Sequence, residues 1–157
     1  MYEQYLLTNR EFCNVTQNGR VTGFQIKIRI PAYRALCVAK IDDISVELDG
    51  EKFSRDKLTF TAGGRSYPLD GLRTVMDLYW RFGELATVTV SKPGGLATGM
   101  HTVTVGILVY TGVGNAPPRP GALTRQERVA KLASDQKFLE EQYRNANRVT
   151  KRMSLVQ

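Results

Sequence analysis

Apolar and polar positions alternate most clearly between Arg20 and Ile30, where Phe24, Ile26, Ile28 and Ile30 interleave with Gln25, Lys27 and Arg29. That period of two is the signature of an antiparallel strand with one buried face. The preceding stretch FCNVTQ (12–17) is also strand-like, and Asn18-Gly19 between the two accepts the positive φ angles of a type I′ turn. A tight hairpin is expected. Pro31 cannot donate to a sheet ladder, so the strand should end there, leaving PAYRALCVA (31–39) as a connection that displays Tyr33 and Arg34. The hairpin theme recurs in ISVELDGEKFS around Asp49-Gly50 and in LTFTAGGRSYPL around Gly63-Gly64. Later, Val88 and Val90 alternate with Thr87 and Thr89, and Val103 and Val105 with Thr102 and Thr104. Glycine-centred turns with little helical periodicity between them predict a mainly β domain, an antiparallel β-sandwich over residues 1–112.

After Pro117-Pro118-Arg119-Pro120 the period changes. Residues 113–123 read as a Pro/Gly-rich connector. Thr124 followed three residues later by Glu127 forms a capping box. Val129, Leu132, Leu139, Tyr143, Ala146 and Met153 then fall on one stripe at steps of three and four, interrupted at Gln136. The pattern predicts one long amphipathic helix over 124–153, about 28 residues and ~40 Å at most. A small sandwich would not cover so long a stripe, so packing on a partner or on a second copy is expected.

Charge adds one asymmetry. The net +7 divides into 14 Lys and Arg against 11 Asp and Glu in residues 1–120, and 8 against 4 in residues 121–157. The cations are interspersed with acids rather than gathered into a block, which argues against nucleic acid as the partner. No apolar run reaches the length of a membrane span, and the N-terminus MYEQYLLTNR has no secretory pattern, so a cytoplasmic protein is expected. Cys13 and Cys37 lack CxxC spacing and read as buried, inert thiols.

The parts needed for catalysis are scarce. His101 is the one histidine, so no multi-histidine metal site can form, and no HExxH or Cys/His cluster occurs. Asp42-Asp43 and Glu140-Glu141 are sequence neighbours, which diverge in a regular strand or helix and so make no carboxylate dyad. Pro93, Gly94, Gly95 and Gly99 shape a loop without phosphate-cradle spacing. In YWRF (79–82), alternation puts Tyr79 and Arg81 on one face and Trp80 and Phe82 on the other, with the second face in the core. One of these faces could instead join an interface, where Trp, Tyr and Arg are frequent anchors.

The ordered landmarks NGRVTGFQIKIRIPAYR, FTAGGRSYPLDGL and YWRFGELATVTVSKPGGLATGMHTVTV, closing on a strand that ends at Tyr110, resemble the small β subunit of bacterial C-glycoside deglycosidases over residues 1–112. Residues 113–157 lie outside the resemblance. The family implies an antiparallel sandwich that works with a larger α subunit similar to sugar-phosphate isomerase/epimerase barrels. That subunit holds a divalent metal, typically manganese, and the acid–base residues. The reaction implied is cleavage of the C–C bond of 3-oxo-C-glycosides by β-elimination, in hetero-oligomers of αβ pairs. On this reading the chain has no catalytic residue and no metal or other cofactor of its own. Tyr33, Arg34, Arg65, Trp80 and His101 are candidates for contact with the partner or its substrate site. The alternative is a free-standing carbohydrate-binding or protein-interaction sandwich without an enzymatic role.

Overall fold

A computed structural model describes residues 6–30, 34–112, 114–144 and 146–155. Two antiparallel sheets face one another. One runs in the order β1 (Leu7–Gln17), β2 (Arg20–Arg29), β9 (Leu85–Ser91), β6 (Leu58–Ala62), β7 (Arg65–Pro68). The other runs β11 (Asn147–Leu155), β10 (Gly99–Val109), β4 (Ile41–Leu48), β5 (Glu51–Phe53). A short ribbon pairs β3 (Leu36–Cys37) with β8 (Tyr79–Trp80).

The period-two positions fill the core. Phe24, Ile26 and Ile28 of β2, with Val88 and Val90 of β9, meet Ile44, Val46 and Leu48 of β4 and Val103 and Val105 of β10 in one buried cluster. All three expected hairpins form with two-residue turns, because Asn18-Gly19, Asp49-Gly50 and Gly63-Gly64 each supply two successive positive φ angles. The Pro93–Gly95 loop is structural as well. Asn14 grips it with both ends of its amide, donating to the Leu96 carbonyl at 2.9 Å and accepting from the Leu96 amide at 2.8 Å.

The C-terminal region corrects one expectation. Helix is present, but as a pair, α1 (Arg125–Ser134) and α2 (Gln136–Arg144), and the chain then turns extended as β11. Thr124 and Glu127 do make the capping box. Asp135 ends α1 with extended backbone and accepts from the Phe138 amide at 3.0 Å, so the gap in the stripe at Gln136 is a junction between helices. Within NRVTKRMSL the helical stripe hid an alternation, with Met153 and Leu155 in the core and Val149 packed against it. β11 pairs with β10 from Gly99↔Leu155 to Ile107↔Asn147, so it is a strand of the sandwich and not an appendage.

The apolar face of the helix pair is covered from within the chain. Leu132 and Tyr143 pack on Leu108, an outward-facing residue of β10, with Phe138, Leu139 and Ala146 around them. Gly106 makes the approach possible, since a Cβ there would stand 2.7 Å from the Tyr143 ring.

Candidate functional site

Two places stand apart from ordinary sandwich structure. The first is the β3–β8 ribbon. Leu36 opposite Trp80 turns inward, and Cys37 opposite Tyr79 turns outward. Trp80 has no exposed surface, meets Phe60 edge-on at 5.5 Å between ring centroids, and donates its indole N–H to the Glu84 carbonyl at 2.8 Å. Beside this inner anchor the outer surface is apolar: Met76 is 68% exposed, Tyr79 51% and Phe82 65%. The Cys37 thiol, half-buried rather than buried as expected, lies 3.7 Å from the Met76 carbonyl and ties that residue to the ribbon. Phe82 departs from the expected inward face. β8 ends at Trp80, and a turn closed by the Glu84 amide on the Arg81 carbonyl at 3.0 Å, with Gly83 at φ 87, carries Phe82 outside.

The second place is a charge cluster beneath the helix pair. Asp43 opposes Leu108 and Ile41 opposes Val109, so Asp42 is the extra residue of a β-bulge. The bulge re-aims a side chain that regular alternation would send into the core. Both aspartates therefore reach the C-terminal helices. Asp42, 1% exposed, accepts from Arg125 at 3.0 Å and Arg128 at 3.1 Å. Asp43 accepts from Arg55 and from the Tyr143 hydroxyl. Burial pushes the Asp43 carboxyl above its ordinary value, against the opposing pull of the Tyr143 hydroxyl and Arg55. Burial first, and then the Asp43 charge, hold the Tyr143 phenol well above its own. A groove of ≈ 610 Å³ runs alongside, walled by Phe53, Arg55, Leu139, Tyr143 and Arg148. With both carboxylates occupied by guanidinium or phenol donors, the cluster clasps helices to sheet. The divergence expected of Asp42-Asp43 in a regular strand gives way to a bulge, which a single sequence does not reveal, but the two carboxylates hold separate donors, as the expectation of no dyad requires.

Arg34, Arg65, Trp80 and His101 lie on separate elements and share no partner among the described residues. Tyr33 lies outside the described residues. Arg34 is exposed at the start of the ribbon. Arg65, on β7, covers the Tyr67 ring at 5.4 Å and pairs with Asp77 at 3.1 Å. Trp80 is a core residue, so any contact at the ribbon passes through Tyr79 and Phe82 instead. His101 sits on β10 with Nδ1 2.6 Å from Asp49 and Nε2 2.7 Å from the Ala97 carbonyl. Burial works against its charge, but the Ala97 carbonyl and Asp49 outweigh it and raise its pKa. Two acceptors on one ring favour the imidazolium, which fastens the Asp49-Gly50 turn to β10 and leaves no nitrogen to act as a base. Among the described residues no three His, Cys, Asp or Glu side chains gather as metal ligands, and no helix is long and apolar enough to cross a membrane.

Sequence reasoning missed Met76, which a two-residue strand beside a loop leaves exposed. It also missed the Asp43–Arg55–Tyr143 group, whose members are far apart in the chain and meet only through the fold.

Known proteins supply the remaining information. The family described as C-glycoside deglycosidase beta subunit matches residues 2–111. A protein of that name from Eubacterium cellulosolvens is 32% identical over 105 residues, 66% of this chain and 71% of the relative. Another from Microbacterium trichothecenolyticum is 31% identical over 88 residues, covering 54% of this chain and 64% of the relative. One from Arthrobacter globiformis is 25% identical over 68 residues, 43% of this chain and 52% of the relative. The matched region holds eight complete strands of the sandwich, all of the ribbon and the turn that exposes Phe82. The chain belongs to the C-glycoside deglycosidase beta subunit family.

Proposed function

We propose that this chain is the noncatalytic subunit of a heteromeric C-glycoside deglycosidase, a carbon–carbon lyase. Its partner is a larger α subunit similar to sugar-phosphate isomerases and epimerases, assembled with it as αβ pairs in the cytoplasm. The family match over residues 2–111 carries the reading. Among the described residues no three His, Cys, Asp or Glu side chains form a ligand cluster; Asp42 and Asp43 are committed to arginines and a tyrosine, and His101 to Asp49 and Ala97. On this proposal the α subunit holds the divalent metal, manganese, and the acid–base residues, as the family resemblance implies.

The substrate is a 3-oxo-C-glycoside. A carbonyl at C3 acidifies the proton on C2, and a general base of the α subunit removes it. The electron pair released forms the C1–C2 double bond as the bond from C1 to the aromatic carbon breaks. That carbon takes a proton from a general acid. The β subunit stabilises the α subunit and closes its site. Arg34, Arg65 and His101, with Tyr33, are retained as candidate contacts with that site.

Coexpression with the isomerase-like subunit, followed by size-exclusion chromatography and an assay on a 3-oxo-C-glycoside, tests the proposal. Coelution of the two chains and activity only in the joint fraction are expected. Full activity of the large subunit alone, or cleavage by this chain alone, would overturn it.

A further inference from the structure

Among the described residues the exposed large hydrophobic side chains are Met76, Tyr79, Phe82 and Met100. Three of these four belong to one seven-residue segment on and beside the ribbon. Scattered exposed apolar residues need no explanation, but a concentration of Met and aromatic side chains marks an interface. The segment is also rigidly backed. Trp80 and Leu36 anchor the ribbon from within, and the Val38 amide donates to the Leu78 carbonyl at 3.1 Å. A docking surface held this way pays little ordering entropy on binding.

Charge selects the occupant. The one carboxylate of the segment, Asp77, is paired with Arg65 at 3.1 Å, and Glu84, two residues beyond it, accepts from the Gly63 amide at 3.1 Å. Arg81 stands exposed within the segment, and Arg34 stands exposed two residues before β3, the strand that pairs with it. A second copy docking the same face would set arginine against arginine about the symmetry axis, which disfavours self-association. A different chain with an apolar socket and a carboxylate rim suits both features. The helix pair offers no comparable surface, because its apolar face is spent on Leu108.

We infer that Met76, Tyr79 and Phe82, flanked by Arg34 and Arg81, form the surface through which this chain docks on the larger deglycosidase subunit, at an apolar socket edged with acidic residues. The inference rests on the subunit assignment proposed above, and it names the contact that the assignment leaves open.

The test measures binding of the purified chain to the isomerase-like large subunit by native mass spectrometry and interferometry. It compares the wild type, Tyr79→Ala/Phe82→Ala, Arg81→Glu and Met100→Ala, each checked for wild-type circular dichroism and thermal midpoint. The double variant should weaken binding on the order of 100-fold, since buried aromatic anchors dominate such interfaces. Arg81→Glu should weaken it on the order of 10-fold, less so at high salt. Met100→Ala, which alters the exposed hydrophobe on β10, should bind as the wild type does. Unchanged affinity in the folded double variant would overturn this surface and leave the subunit assignment standing. Absence of wild-type binding would overturn both, and a wild-type homodimer lost in the double variant would reassign the surface to self-association.

Discussion

Tyr143 is the residue on which the C-terminal third of the molecule turns. Its ring lies over Gly106, and its hydroxyl donates to a carboxylate that burial has already made costly to ionise. Tyr143→Phe should therefore lower unfolding free energy by about 1.5–3 kcal/mol, the usual loss for a hydrogen bond to a charged group, measured by urea denaturation. Trp80 is a separate case. Trp80→Ala removes the largest core side chain and should cost about 3–5 kcal/mol. A calorimetric midpoint within error of wild type would show that the indole is not the ribbon's anchor. For His101 the sign of the pH effect follows from its raised pKa. A raised pKa in the folded state means that the added stability is complete below the unfolded value of ~6.5 and fades as pH climbs through the folded one. The thermal midpoint should fall across that window in wild type, and His101→Gln should lack that component. Glycine turns and alternating strands could be read along the chain because each depends on neighbouring residues. The partners of His101 could not, since Asp49 reaches it through the long-range pairing of β4 with β10, which sets Leu48 opposite Val103.

At the level of elements, local periodicity decided some assignments and misled in one. Thr124 and Glu127 announced a helix start correctly because a capping box is complete within four residues. The stripe continued through Ala146 to Met153, and its spacing suited a helix as well as it suited two short helices and a strand. Tertiary pairing resolved the ambiguity. β10 would be left with one edge bare, and β11 covers it over nine residue pairs. Hydrogen exchange distinguishes the two arrangements: amides of 147–155 should exchange in concert with those of β10, not with those of α2. Gly106→Val is expected to push Tyr143 outward and undock α1 and α2, making residues 125–144 sensitive to proteases while the sandwich stays folded. The ribbon was legible only in part. YWRF reads as core aromatics with an interface as the alternative, and the inward assignment of Phe82 assumes a strand longer than the two residues that form.

Over the whole molecule, basic charge, sheet architecture and the committed state of the acidic side chains lead to one picture. The sandwich is a rigid support whose two most unusual features do different work. The aspartate–arginine cluster seals the molecule to itself, and the Met76–Tyr79–Phe82 surface faces outward. The fold class could be read from the chain because sandwiches are built from local hairpins. The docking surface could not, because exposure is a property of the assembled fold. The most direct measurement is a titration at fixed concentration of the isomerase-like large subunit, following cleavage of a 3-oxo-C-glycoside as this chain is added. The account predicts a rate that climbs from near zero and levels off at one β chain per α chain. A rate that stays flat, or that climbs without the large subunit present, would contradict it.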